Sequence, residues 1–474
     1  MTMRSNDPKE FPKGRVVPQG LLELDPAGEL LALTTHGRVK NIILGALELD
    51  GALDMPVLRE VVSRVARELP RFTMSLKETR ERLKHYLRWD NSLCLEIPFF
   101  AWDMRESHMG AKSGLEILLE CLEPHLNRDR NMLREPPCEV HVVKLDGHRH
   151  VLAAVMSHVA ADAMTLVEIV KELMITYHEA VTGSRPALPG FQLPASTSGK
   201  RTVSLRTTVW RDYWDTCRHA LIPYEGCALP VGSRNRDDPG EHHVKRVLPC
   251  DESREIAERA AGMSISVVDY LLACAVQAVE RWNSSRGVAS STITAALTVN
   301  MNGRFQKIGG VNNDSVLYFP CGPEQMADLS RLGKWIARSR MRQFRRHMDV
   351  KYATGMEKLN NFLRVLPFAA RRQMYVRLLQ RHQTSFALGF LGVLWPETNG
   401  RTMTGESYLT SAGGLEITEV HGMAYKIFSR TPLYLSAYFF RKRLNIVLSA
   451  AAWNFTKEES QDFLGLVVDL LEGP

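Results

Sequence analysis

The residues best suited to chemistry are Ser157-His158-Val159-Ala160-Ala161-Asp162-Ala163, an H-x-x-x-D pattern. It follows an apolar run, His150–Met156, and precedes residues with apolar side chains at helical spacing from Met164 to Val181. A histidine just past a buried strand projects from rigid support. A neutral imidazole near pH 7 is a suitable general base for a hydroxyl or amine. A carboxylate four residues on can fix the loop without touching substrate. The sequence contains no G-x-S-x-G nucleophile elbow, which favours direct attack on an activated acyl group over a covalent acyl-enzyme. The other reading of His158 is a core histidine hydrogen-bonded at a strand end, and the local sequence leaves both open. The bare spacing is weak evidence, because His125…Asp129 (HLNRD) repeats it at the polar end of a helical segment.

The elements that must position His158 follow from periodicity. Asn41–Leu49 reads as an apolar strand ended by Asp50-Gly51, and Met55–Phe72 carries apolar residues at helical spacing. Leu83–Trp89 and Leu93–Phe100 read as strands, and Ser113–Leu126 as a helix. Cys138–Leu145 and His150–Met156 form a hairpin about Asp146-Gly147, and the helix after it stops at Gly183. Residues 184–201 are rich in Pro, Gly and Ser and read as a linker. Beyond it, Leu205–Ala220, Val267–Trp282, Asp328–Met348 and Lys457–Leu471 read as helices. Thr292–Val299, Leu433–Phe440 and Leu444–Ala450 read as strands. The expected organisation is an arm at 1–20, a lobe at 21–183 carrying the motif, a linker at 184–204 and a second α/β lobe at 205–474.

Six segments in order resemble the condensation-domain superfamily of acyl-thioester-dependent acyltransferases. That superfamily includes nonribosomal peptide synthetase condensation domains, plant-type acyl-CoA acyltransferases, wax ester synthases and polyketide-associated acyltransferases. The segments are Leu47–Leu76, Pro137–Asp162, Trp210–Trp214 (WRDYW), Val299–Phe305 (VNMNGRF), Ile308–Asn313 (IGGVNN) and Ser429–Leu433 (SRTPL). The family signature H-H-x-x-x-D-G is altered at both ends, with Ser157 for the first histidine and Ala163 for the glycine. Ala163 keeps a backbone N–H, and its methyl narrows the floor available to an acceptor. The DFGWG motif of the plant branch is absent.

The resemblance implies two chloramphenicol-acetyltransferase-like α/β lobes with mixed sheets and a tunnel between them. A CoA or phosphopantetheine thioester would enter from one face and an alcohol or amine from the other, with no bound cofactor or metal. His158 would be the general base. The Ala163 N–H and the Asn300 side chain are the candidate oxyanion donors. Asp162 would support the loop, with Arg304 as its candidate partner. Asp212 and Tyr213 read better as a helix residue and a core aromatic. No carrier or adenylation segment is recognisable in the 474 residues, so the reading is of a free-standing enzyme whose carrier acts in trans. The product would be an ester in preference to an amide. A non-catalytic binding platform of the same fold is the rival, supported by Ser157 and Ala163 and opposed by His158 and Asp162.

Composition narrows the field further. Hydrophobic residues make up 45% and charged residues 24% of the chain, ordinary globular values that exclude a disordered or collagen-like protein. There is no apolar run of 18 residues and no secretory h-region, and the eight cysteines lack any C-x-x-C pair. A cytoplasmic protein with reduced thiols, monomeric by the family pattern, is expected. The net charge is +7, yet residues 331–382 hold fourteen Lys or Arg against two Asp or Glu. The remainder is therefore mildly acidic. Arg338, Arg342, Arg345 and Arg346, with Arg340, crowd one stretch, and Arg371, Arg372, Arg377 and Arg381 another. A solvated helix face is the ordinary explanation. Docking of an acidic carrier protein or of CoA phosphates is the second, with Ser157 and these arginines as candidate contacts. An anionic membrane surface is the third. No nucleic-acid module is recognisable.

Overall fold

The computed structural model describes residues 21–473 except 36–38, 91–94, 105–111, 187–226, 234–237, 239, 290, 301–311, 313, 380–383, 397–408 and 426–430. The first half runs β1 (Leu21–Glu23), α1 (Pro26–Thr34), β2 (Ile42–Asp50), α2 (Met55–Glu68), β3 (Ser75–Glu81), β4 (Lys84–Asp90), β5 (Phe99–Asp103), α3 (Gly114–Asn127), β6 (Cys138–Lys144), β7 (Arg149–Ser157) and α4 (Ala163–Thr182). The second half begins with β8 (Glu241–Val247), α5 (Cys250–Gly262), α6 (Val267–Ser284), β9 (Ile293–Asn300) and β10 (Asp314–Cys321). It continues with α7 (Pro323–Met326), α8 (Leu329–Arg345), α9 (Met348–Leu363), α10 (Phe368–Leu379) and β11 (Phe386–Val393). It closes with β12 (Ser411–Ala412), β13 (Leu415–Tyr425), β14 (Leu433–Phe440), β15 (Arg443–Ala451) and α11 (Lys457–Glu472).

Two six-stranded mixed sheets carry the fold, in the orders β12-β13-β2-β7-β6-β5 and β10-β9-β11-β14-β15-β8. A small sheet, β1-β4-β3, lies apart. The strand β7 is buried from His150 to Ser157 because it is central and covered on both faces. Its turn at Asp146-Gly147 forms as the sequence suggests, with Gly147 at φ 42° and Arg149 N donating to Asp146 O at 2.7 Å. The helix α4 ends on Gly183 at φ 76°, the left-handed cap that glycine adopts without cost.

Two expectations change. The strand expected at Leu93–Phe100 is β5, starting only at Phe99 and pairing parallel with β6. Pro98 precedes it and has no N–H for the ladder, though its carbonyl accepts from Val140 N at 2.9 Å. More consequentially, the division at 184–204 does not separate the sheets. β12 and β13 lie beyond it in sequence, yet β13 pairs antiparallel with β2 from Tyr425↔Ile42 to Glu416↔Asp50. An edge strand left bare on β2 would expose a row of unpaired backbone groups, and β13 covers it. The expected helix at Leu205–Ala220, the segment WRDYW with Asp212 and Tyr213, and most of the linker lie outside the described residues.

Candidate functional site

His158 follows the last residue of β7, and its backbone is fixed before its side chain is considered. His158 N donates to Asn41 O at 2.7 Å. Asn41 is fully buried with φ 48°, a left-handed conformation that asparagine tolerates better than most residues. Its Nδ2 donates to Leu31 O and to the Thr34 and Thr35 hydroxyls, tying the turn to the end of α1. On the other side, Asn312 Nδ2 donates to Val159 O at 3.1 Å. The helix α1 presses on the same carbonyl: a Cβ at Gly28 would lie 2.7 Å from Val159 O. The imidazole is half-buried, and its Nδ1 is buried with no hydrogen-bond partner among the described residues.

Asp162 is fully buried and caps α4, its Oδ1 accepting from Thr165 N at 2.7 Å. That leaves the Ala163 and Met164 N–H groups at the open end of a 20-residue helix, where free donors and the helix dipole favour negative charge. Ser157 is buried and its hydroxyl accepts from Val159 N at 3.4 Å, so it shapes the loop from beneath.

His158, Ala163 and Asn300 line one cavity of about 630 Å³ between the two large sheets, within the size range of small-molecule sites. One wall is β2, β13 and the start of α4, and the other is β9, β10, β11 and β14. Most of the lining is apolar, including Leu166, Phe390, Leu391 and Trp395. The polar residues on the far wall include Thr298, Asn300, Asp314 and Tyr434, with Ser436 and Tyr438 beside them on β14. The sequence analysis singled out only Asn300 of these. Asp314 pairs with Asn300 in the β9–β10 ladder. Burial, and then the nearby Asp162 carboxylate, push its carboxyl well above the ordinary aspartate range. Burial pushes the Tyr434 phenol up to about 12. Gly389 makes room for that phenol, since a Cβ there would lie 2.7 Å from the Tyr434 hydroxyl. Asp314 sits immediately beyond the IGGVNN segment, the one local signal that could have drawn attention to it.

The other sequence candidates lie elsewhere. Arg304 is outside the described residues. Arg338, Arg342 and Arg345 are exposed on α8 and Arg346 is exposed just past its end, and none of them lines the cavity. Three arginines of the basic segment, Arg340, Arg364 and Arg371, are not a solvated face. Arg340 makes two 2.7 Å contacts with buried Asp269. Arg371 is fully buried and meets Glu29 of α1 at 2.6 Å, where Arg364 and Asn360 also converge. A carboxylate with no access to water needs such partners, and α1 supplies it from the far end of the chain.

Among the described residues two clusters have the composition of metal sites, His125–Glu139–His141 and Glu48–Glu419–His421. In each, cations of the chain already face the carboxylates. Arg128 and Arg130 pair with Glu139. Burial alone would raise the Glu139 carboxyl, but His141 and the two arginines hold it far below the usual range. Lys245 Nζ reaches Glu419 at 2.9 Å and His421 Nδ1 at 3.0 Å, and His421 Nε2 reaches Glu48 at 2.9 Å. The second H-x-x-x-D pair is thereby accounted for. His125 belongs to the Glu139 cluster under Phe100, and Asp129 is an exposed residue bridged to Lys40.

The chain resembles solved structures over nearly its whole length. The first condensation domain of the calcium-dependent antibiotic synthetase, in complex with a substrate analogue, aligns at TM-score 0.67 and 12% identity, covering 96% of this chain and 97% of that one. The starter condensation domain of rhizomide synthetase RzmA, a mutant in complex with C8-CoA and Leu-SNAC, aligns at TM-score 0.61 and 13% identity over 95% and 94%. SgcC5 from Streptomyces globisporus aligns at TM-score 0.62 and 15% identity over 95% and 98%. No curated protein sequence matches the chain. The family model described as Condensation domain matches residues 41–298, more than half of the chain. The fold class read from the sequence is therefore correct, and the chain belongs to the condensation-domain family.

Proposed function

We propose that this protein is an acyltransferase that moves an acyl group from a CoA or carrier-protein thioester onto an alcohol or amine. The observation that carries the reading is the placement of His158 beside the open N-terminus of α4 in a cavity shared by both sheets. The acceptor O–H or N–H gives its proton to the imidazole as the new bond to the acyl carbon forms. The carbonyl oxygen becomes an oxyanion that the Ala163 N–H faces, with Asn300 on the opposite wall. The C–S bond then breaks, and the thiolate leaves with the proton held by His158. No covalent acyl-enzyme is needed. Asp162 holds the loop and the helix start, and its distance from the chemistry is set by its cap to Thr165 N. The apolar wall suits an acyl chain, whereas Asp314, Thr298 and Tyr434 suit a polar acceptor. Support for the thioester comes from a relative of the same fold that was crystallised with C8-CoA.

The test is free-thiol release from acyl-CoAs and acyl-pantetheine thioesters in the presence of an acceptor extract, with wild type and His158→Ala side by side. The expected result is release that needs both extract and His158, with a loss of about 10²–10⁴-fold in the variant. Mass spectrometry of the extract then distinguishes ester from amide. Equal release from both proteins would refute His158 as the base. Thioester binding without turnover from any donor, carrier-bound donors included, would favour a non-catalytic platform.

A further inference from the structure

The hairpin β3–β4 and the connection between α9 and α10 meet at the surface. His85 N donates to Arg364 O at 2.6 Å, the Arg364 guanidinium lies 4.6 Å from the Tyr86 ring centre, and Phe368 N donates to Glu78 at 3.1 Å. This junction concentrates exposed apolar side chains. Among the described residues nine large hydrophobics are exposed, and four of them are here: Leu83 at 74%, Phe362 at 73%, Val365 at 53% and Leu366 at 37%. Leu83 and Phe362 are the two most exposed of the nine. Leu363, the next residue after Phe362, is instead buried with Leu33 and Tyr375. The chain therefore points Phe362 outward by choice of helix face.

The hairpin apex is Arg82-Leu83, where glycine or asparagine is the ordinary choice. Arg82 accepts φ 54° there. Arg80, Arg82 and Lys84 are exposed and pair with no carboxylate among the described residues. The nearby acids are engaged: Glu81 with Arg88, and Glu78 with His85 and the Phe368 N–H. An apolar tip ringed by unpaired cations matches a bilayer interface carrying anionic headgroups. We infer that this junction docks the protein on an anionic lipid surface, with Leu83, Phe362, Val365 and Leu366 entering the headgroup layer. A peripheral enzyme so placed could take an acyl donor or acceptor from the membrane. The docking stands whether or not His158 transfers acyl groups.

The experiment is co-sedimentation of the full chain with phosphatidylcholine vesicles, with and without phosphatidylglycerol. The expected result is partition onto the anionic vesicles alone, weakened by salt. Leu83→Ser/Phe362→Ser should lose roughly tenfold in partition, because each exposed side chain contributes its own burial in lipid. Arg80→Gln/Arg82→Gln/Lys84→Gln should lose the dependence on phosphatidylglycerol. Unchanged melting of both variants confirms that surface, not fold, was altered. No partition at low salt, or equal partition of the double variant, overturns the proposal. Binding of an acidic carrier protein that these variants abolish, with no vesicle binding, assigns the surface to a protein partner and overturns it equally.

Discussion

Replacing Asp162 separates a structural role from a chemical one. Its Oδ1 caps α4 through Thr165 N at 2.7 Å in a fully buried setting. Asp162→Ala removes that cap, a loss of about 1–2 kcal/mol. Asp162→Asn keeps an equivalent cap and loses the charge at the helix start, about 0.5–1 kcal/mol. A melting curve resolves neither well. At about 2.1 cal/mol/K per residue, a chain of this length has an unfolding entropy of about 1 kcal/mol/K, so the alanine variant shifts Tm by only about 1–2 °C. Amide exchange at Thr165 is the sharper assay. It should accelerate about 5–30-fold in Asp162→Ala and stay within about twofold in Asp162→Asn. If Asp162 acts only by holding the loop, activity follows protection: the alanine variant is impaired and the asparagine variant is largely active. Equal loss of activity in both, with Thr165 still protected in Asp162→Asn, would refute the structural role and place the carboxylate's charge in the reaction.

Glu29→Gln leaves Arg364 and Arg371 with an uncharged partner in a site closed to water, and should cost about 3–5 kcal/mol by urea unfolding. His421 is lowered first by burial and then by Lys245, although its bond to Glu48 opposes this. A depressed histidine stabilises when neutral, so stability should fall as pH drops below about 6.5. His421→Gln should flatten that fall in urea midpoints measured at pH 5 and 7.5. Asp314 has the opposite sign. Its raised carboxyl favours folding when protonated, and that contribution is lost as pH rises from about 4. Asp314→Asn should gain stability relative to wild type at neutral pH, and unchanged urea midpoints there would count against a buried carboxyl. Gly389→Ala places a methyl 2.7 Å from the present position of the Tyr434 hydroxyl. It should raise KM for the acceptor more than for the thioester, by about tenfold.

The motif strand and its helix were legible because both signals are local. HVLAAVM is a continuous apolar run, and the loop after it ends in a capping aspartate before amphipathic spacing begins. Asp314 was not legible, since nothing near it shows that its carboxyl looks across a cavity at a second sheet. Arg371 was misread for a related reason. A run of arginines is ordinarily solvated, and the acid that buries this one lies 342 residues away. The same distance hides β13. Leu415–Tyr425 is a plausible strand by composition, but its pairing with β2 depends on which strand edge is left open in the folded sheet. A boundary drawn at a Pro- and Gly-rich stretch follows the chain, whereas the sheets follow edges.

These long-range ties explain why one H-x-x-x-D segment faces a cavity and the other does not. The carbonyl of Asn41 holds the His158 backbone from the N-terminal side, and Asn312 holds Val159 from the second half. Gly28 lets α1 close against the same loop, and Glu29, its neighbour, anchors α1 to α9 and α10 through Asn360, Arg364 and Arg371. The position of the imidazole is thus set by both halves of the chain, and the H-x-x-x-D spacing supplies only its last turn. His125 has the same spacing and none of these supports, so it settles into an ion cluster around Glu139. It follows that Glu29→Gln, although far from the cavity in sequence and chemistry, should loosen the loop that carries His158 and lower turnover along with stability. Suppression of that loss by a mutation restoring α1 docking, without any change in the motif, would show that the motif is necessary but that its placement is a property of the whole fold.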